Sequence, residues 1–245
     1  MQIKDYQVVL LGVLIALGSV CSTYILSKGI IEFQKLQNQT IRVTGSASQN
    51  VTSDSSSWNI DYRAIAPTLK EGYSKINSDA VKIKKFLLEN GIDEKNINFA
   101  SIGSYENHKR TPNGNTTNEI ENYTVFQNVT IKANDTETLT NLSKKIDVLV
   151  NQDINLTTGN IKYFVSNLDD IKVKMVGEAT KNAQDRANSM VKATNGKIGP
   201  INSAKMGVFQ IVPIDSTDVS DYGYNDTSSI EKKVVATVTA TFTVK

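Results

Sequence analysis

The sequence predicts an α+β fold: two β-α-β-β-like halves with largely antiparallel sheets covered by helices, preceded by one transmembrane helix. Three observations lead there. An uncharged apolar run stands at Val8–Leu26. Two long stripes of helical period are each stopped by an Asn-Gly pair, at Asn90-Gly91 and Asn195-Gly196. Between and after the stripes, apolar and polar residues alternate with the period of strands.

As a helix, Val8–Leu26 spans about 28 Å, close to the ~30 Å hydrocarbon core of a bilayer. Lys4 and Asp5 precede it and Lys28 follows, so flanking charge leaves the orientation open. A short tail before the run and a polar domain after it have the form of a signal anchor, with the N-terminus inside and the domain outside. A cleaved signal peptide is disfavoured because Tyr24-Ile25-Leu26 offers no small-residue cleavage site. Acylation at Cys21 is disfavoured by Val20 immediately before it; Cys21 reads as a small lipid-facing apolar residue. Residues 1–39 are therefore anchor and connector, with 27–39 either a linker or an extension of the anchor helix.

Ile41–Gly45 alternates as a strand, and Val51–Asp54 closes that unit. Trp58, Ile60, Tyr62 and Ala64 alternate with Asn59, Asp61 and Arg63, giving a second strand with one apolar face. Pro67 suits the first turn of a helix, whose stripe is Leu69, Tyr73, Ile76, Ala80, Ile83 and Leu87. Strands follow at about 97–105 and 120–133, joined by a polar turn at 108–114. Asn134 or Asp135 caps a second helix with the stripe Leu139, Leu142, Ile146 and Leu149. Residues 160–166 read as a strand. Asn167 then caps a long helix, with Asp169 and Asp170 complementing its dipole and Ile171, Met175, Ala179, Ala183, Ala187 and Met190 as its stripe. Strands at about 201–212 and 234–244 finish the chain. The order strand, helix, strand, strand recurs from Trp58–Ala133 to Ile161–Val244, so the domain at 40–245 divides into pseudo-repeated halves at 40–133 and 134–245.

Composition narrows the function. The 245 residues are 39% hydrophobic and 21% charged, as in a globular protein, and the net charge of +2 makes no electrostatic case for nucleic acid. Lys82, Lys84 and Lys85 are a short cluster only. With one cysteine, Cys21, and one histidine, His108, a disulfide framework or thiolate zinc site within the chain is out of reach. His108 lies in a polar stretch and reads as a solvated loop residue.

Other features have ordinary readings. Asp215, Asp218, Asp221 and Asp226 share one loop but lack the spacing of a calcium loop, so a solvated loop is favoured over a weak cation site. Asn-x-Ser/Thr triplets at Asn50, Asn115, Asn122, Asn128, Asn134 and Asn155 fit chance in an Asn- and Thr-rich chain. No phosphate-binding glycine loop is present. Trp58 reads as core. The alanine ladder permits close packing either onto the domain's own sheet or onto another subunit.

Several short motifs in fixed order resemble one family. They are Val43-Thr44-Gly45-Ser46-Ala47 with Val51 and Asp54; Asn77 and Leu87-Leu88-Glu89-Asn90-Gly91-Ile92 leading to Asn96-Ile97; Tyr123, Val125, Asn128 and Val129, then Gly159 and Ile161–Val165; and Ala179, Ala183 and Ala187 with Gly196, Gly199 and Ile201. Over residues 40–245 the chain resembles the SIMPL-domain (DUF541) family of bacterial envelope proteins, which includes periplasmic immunogenic proteins. The resemblance implies an extracytoplasmic domain, homo-oligomers in some relatives and, for some, a link to oxidative-stress resistance. It brings no agreed activity. The expectation is a single-pass membrane protein, not an enzyme, that contacts the lipid bilayer through residues 8–26. It acts as an oligomeric scaffold or, alternatively, as a monomeric module for a small ligand or envelope polymer. No catalytic, metal or cofactor residue is assigned.

Overall fold

The computed structural model describes the backbone of residues 2–245 and the side chains of 6–33 and 39–245; the side chains of Lys4 and Asp5 lie outside the described residues. Two largely antiparallel sheets and their helices follow one N-terminal helix, α1 (Gln2–Asn38). At 37 residues α1 is about 55 Å long, and residues 27–38 belong to it. Within its apolar segment Tyr6–Phe33 the most apolar 18 residues have a mean hydropathy of 2.3, and none of them is buried. Ser19 Oγ donates to Ala16 O and Thr23 Oγ1 to Ser19 O, both at 2.8 Å, so these hydroxyls are satisfied within the helix, as lipid requires. Lys28 Nζ lies 5.0 Å from the centre of the Tyr24 ring. By length and composition α1 can cross a membrane; a signal sequence has the same character.

The domain folds as two compact units, each assembled from separated segments. The first comprises the chain through Ala47, Val173–Val208 and Ala236–Lys245. Its strands come from β1 (Thr40–Thr52), β8 (Ile198–Met206) and β11 (Glu231–Val244). β8 pairs antiparallel with β11, with Ala204 opposite Ala240. β1 lies on the other side of β11: Val244 N donates to Gln39 O at 2.8 Å, and Thr44 Oγ1 meets Thr239 Oγ1 at 2.9 Å. Helix α5 (Leu168–Lys192) lies on this sheet. Ala179, Ala183 and Ala187 have no exposed surface, and the last two pack with Val43, Ala240 and Phe242.

Gly45 explains why alanine is needed there. A Cβ at Gly45 would clash with Ala179 O and Ala183 N, both backbone atoms with nowhere to move. Ser46 N then donates to Asn182 Oδ1 at 3.1 Å, and Arg186 to Thr44 O at 3.1 Å. The ladder is used on the protein's own sheet, and these three alanines are not an outward face for another subunit. Met190, placed on the inner stripe by spacing, is 56% exposed; Val191, four residues after Ala187, is buried instead.

The second unit comprises Ser48–Lys172 and Phe209–Val235. Its main sheet contains β2 (Ser55–Ala66), β3 (Ile97–Phe99), β4 (Gly103–Arg110), β5 (Thr116–Ala133), β6 (Asn155–Thr158) and β7 (Lys162–Phe164). β5 pairs with β3 and β4 on one side and β2 on the other, and β2 pairs with β6 and β7. Trp58, Ile60, Tyr62 and Ala64 stand opposite Ile131, Val129, Gln127 and Val125. α2 (Leu69–Glu89), α3 (Glu137–Ser143) and α4 (Asp147–Val150) supply Ile76, Ile83, Leu87, Leu139, Leu142 and Leu149 to that face.

Several local expectations change. Thr68, not Pro67, begins α2: its hydroxyl accepts from Glu71 N, leaving Pro67 outside the helix. Leu69 and Tyr73 are exposed because the helix turns Gly72 inward, against Val125. His108 belongs to β4 rather than to a turn. The hairpin loop is 111–115, with Gly114 at φ +85°, and the ribbon includes a register shift beside His108. The segment at 134–149 breaks into α3 and α4. Thr136 is the N-cap residue of α3, but the side chain that serves the first turn is that of Asp135 before it, accepting from Glu137 N and Thr138 N; the Thr138 backbone bond above all holds its carboxyl below the usual range. β7 is only three residues long. It joins β2, while β1 takes the place beside β11, so the second half of the chain does not close its own sheet.

Two buried polar groups stabilise this unit. Tyr62 OH donates to Gln127 Oε1, whose amide donates to Ala100 O at 2.7 Å. Burial, then the charge of Asp79, raises the Tyr62 phenol well above its ordinary value. Lys232 on β11 is 1% exposed; its ammonium donates to Asp226 O at 2.8 Å and lies 3.4 Å from Asp226 Oδ2. Burial lowers the Lys232 pKa against the opposing pull of Asp226. Burial also acts to raise the Asp226 carboxyl, but hydrogen bonds from Ser228 and Ser229 with the charge of Lys232 outweigh it and hold the group well below its usual range.

Candidate functional site

The main sheet of the second unit has one covered face and one open face. Strand alternation sends Trp58, Ile60, Tyr62 and Ala64 to the helices and Asp61, Arg63 and Ile65 to the other side. Pairing builds three rows across that open side. Tyr105, Thr124 and Ile65 form the first. Gly103, Phe126, Arg63 and Asn155 form the second, and Asn128, Asp61 and Thr157 the third.

The rows have a defined chemistry. Phe126 lies over Gly103: a Cβ there would sit 2.5–3.0 Å from three atoms of the ring. The missing side chain lets the ring rest against the strand while the residue stays 44% exposed. Tyr105 is 51% exposed, with its ring centroid 6.1 Å from that of Phe126 at 47°, and Ile65 is 61% exposed. Isolated apolar residues on a surface are ordinary, whereas these three are grouped on one sheet face.

Polar groups frame the rings. Asn128 Nδ2 donates to Asp61 Oδ1 at 2.9 Å, which fixes the carboxylate on the face. Arg63 is exposed and has no ion-pair partner among the described residues. A shallow cavity of about 120 Å³ opens between Asp61, Arg63, Phe126, Asn155 and Thr157. The arrangement offers stacking surfaces, hydrogen-bond donors and acceptors and an exposed guanidinium beside a carboxylate.

The residues singled out in the sequence lie elsewhere or serve the fold. His108 faces Glu106, with 3.7 Å between Nε2 and Oε2, along the β4–β5 ribbon. Among the loop carboxylates Asp226 is the buried partner of Lys232, while Asp215, Asp218 and Asp221 are not buried, and no cluster of metal-ligating side chains occurs among the described residues. Asp169 and Asp170 stand in the first turn of α5. Lys84 pairs with Glu94 at 2.6 Å. Trp58 is core, its indole N–H donating to Gly159 O at 2.8 Å. Of the Asn-x-Ser/Thr asparagines, Asn128 holds Asp61 and Asn122 Oδ1 accepts from Asn107 at 2.6 Å. The open face itself was not singled out. Its only signals were apolar Ile65 and Phe126 at positions whose parity belongs to the polar side of their strands.

No curated protein matches this chain. The family described as "SIMPL: Protein of unknown function (DUF541)" matches residues 41–242, which takes in both compact units after α1. The chain belongs to the SIMPL (DUF541) family.

Proposed function

We propose that this chain is a membrane-tethered protein whose SIMPL domain faces away from the cytoplasm and acts by binding, without catalysis. The observation behind this reading is the pairing of an unburied apolar helix with an open, chemically mixed sheet face. A helix whose most apolar 18 residues have a mean hydropathy of 2.3, none of them covered by protein, needs another apolar partner, and a bilayer supplies it. Gln39 alone separates α1 from β1, so the domain begins directly at the end of the helix.

A second reading is self-assembly into a membrane-attached scaffold with a part in oxidative-stress protection. It draws on the β4–β5 ribbon: β5 residues 116–122 lie beyond the span that β2 pairs and leave a free strand edge. Glu106, Lys109, Arg110, Glu119 and Glu121 punctuate that ribbon, and charges of this kind oppose edge-to-edge association. Binding by the domain is therefore the preferred reading.

Topology is tested with the full chain carrying Cys21→Ala and Tyr222→Cys, position 222 being 98% exposed. A membrane-impermeant maleimide added to intact cells is expected to label Cys-substituted position 222 at the level reached after permeabilisation. Labelling only after permeabilisation overturns the orientation. The particle mass of the full chain in lipid nanodiscs separates the two modes of action: one copy per disc fits the binding module, and a fixed larger number fits the scaffold.

A further inference from the structure

We infer that the open face of the second unit's sheet is a subsite for an acidic polysaccharide chain, with Phe126 and Tyr105 as its stacking platform and Arg63 as its carboxylate anchor. This rests on the binding reading above and names the ligand class. The first argument is the platform. Gly103 leaves room for the Phe126 ring to settle on the strand, and Tyr105 continues the aromatic surface 6.1 Å away. A sugar ring presents C–H bonds on its flat faces, which the negative face of an aromatic ring attracts.

The second argument is the frame. Around the rings stand Asp61, Asn128, Asn155 and Thr157, side chains that donate to and accept from neighbouring hydroxyls. Asp61 is already fixed by the 2.9 Å bond from Asn128, so its orientation is set before a ligand arrives. The cavity of about 120 Å³ between Arg63, Phe126, Asn155 and Thr157 has room for a ring substituent of a few heavy atoms.

The third argument is charge. Arg63 projects onto the face with no carboxylate paired to it among the described residues, and a guanidinium fork matches a sugar carboxylate in a bidentate pair. A second copy of the chain fits less well. Stable interfaces between copies have apolar centres, whereas three apolar side chains here sit among amides, hydroxyls, the Asp61 carboxylate and the Arg63 guanidinium. An extended polyhydroxylated chain uses all of these groups together.

The test uses the full chain in lipid nanodiscs and two soluble probes. One is a peptide-free glycan strand of alternating N-acetylglucosamine and N-acetylmuramic acid, which bears a carboxylate on every second sugar. The other is chitohexaose, its neutral counterpart. Calorimetry is expected to show saturable binding of the acidic strand and weaker binding of chitohexaose. Phe126→Ala and Tyr105→Ala should each weaken both by about tenfold, and Arg63→Gln should weaken only the acidic strand, by about tenfold. All three positions reach the surface, and a cooperative melting transition well above the assay temperature shows that each variant is folded. Absence of saturable binding by both probes overturns the polysaccharide assignment, while the binding reading then stands or falls on topology and particle mass. Binding that none of the three substitutions weakens overturns the site. A nanodisc particle of several copies that dissociates with Phe126→Ala assigns the face to a second copy and overturns the proposal outright.

Discussion

The two faces of the second unit's main sheet are written on the same strands and obey different demands. Along β2, Trp58, Ile60, Tyr62 and Ala64 are buried under helices, while Asp61, Arg63 and Ile65 between them are exposed. The covered face is accounted for by folding: apolar area leaves water, and the one hydroxyl among its large residues, on Tyr62, is bonded to Gln127. The open face has no such account. Nothing in the fold requires Phe126 to lie over Gly103, with Tyr105 beside it, next to an arginine that has no ion-pair partner among the described residues. A residue that folding does not explain is a candidate for function, and here several such residues adjoin.

The comparison breaks first at the covered face. Ile60 has no exposed surface. Ile60→Ala is expected to cost about 3–4 kcal/mol in denaturant unfolding, from lost transfer energy and the cavity left behind. A loss near that of a surface substitution would show that the helices do not hold this face. Next come two cations of the unit, one buried and one exposed. Lys232→Met strands Asp226 in a buried site and should cost about 3 kcal/mol, whereas Arg63→Gln, exposed and with no ion-pair partner among the described residues, should change stability by less than about 0.5 kcal/mol.

Acid sharpens the same contrast. The carboxyls of Asp226, Asp54 and Asp135 have folded pKa values below their ordinary 3.8; for Asp54 the Ser166 hydroxyl is the main cause. Groups of this kind add stability above the unfolded pKa, and that stability disappears as the pH falls through the depressed folded values. Unfolding should therefore be flat from about pH 7 to 5 and fall below about pH 4. Lys232 acts in the opposite sense at high pH. Its folded pKa lies below 10.5, so the folded state takes a penalty for keeping it charged, and stability rises as the pH approaches that value. Asp226→Asn should flatten part of the acid limb; an unchanged limb would remove Asp226 from this account. The smallest effects belong to the platform: Phe126→Ala, which removes a half-buried ring from Gly103 and Tyr105, should cost about 1 kcal/mol, and Ile65→Thr should shift stability by no more than about 0.5 kcal/mol.

Legibility followed period. The uncharged run of α1, the stripes of α2 and α5 and the alternation of β2, β5 and β11 were all readable because each repeats a physical pattern many times. β6, with the sequence Asn-Leu-Thr-Thr, is four residues long and was missed; so was β10 (Tyr224–Asn225), which pairs parallel with β9 (Gln210–Pro213). Elements this short hold their form through partners distant in sequence, as β6 does on β2. Pairing was equally hidden: nothing in β7 announces that it joins β2, or in β1 that it lies beside β11. Gly45 in the motif Val43–Ala47 was visible, but its reason, the backbone of α5 at Ala179 and Ala183, required the fold.

The open face was hidden for a different reason. Read along β2 alone, Asp61 and Arg63 are the polar half of an amphipathic strand and need no comment. Phe126 gains meaning only when the register sets it between Gly103 and Arg63. Sites made of single residues from several strands leave no local pattern, whereas a helix leaves one in every turn.

The most direct measurement of the central claim is a paired one on Phe126→Ala in the full chain: unfolding midpoint and binding of the acidic glycan strand from the same preparation. The account predicts a stability loss of no more than about 1 kcal/mol, with binding by the folded protein weakened about tenfold. A loss of about 3 kcal/mol or more, with binding lost only in proportion to the unfolded fraction, would place Phe126 in the core and contradict the separation of the two faces.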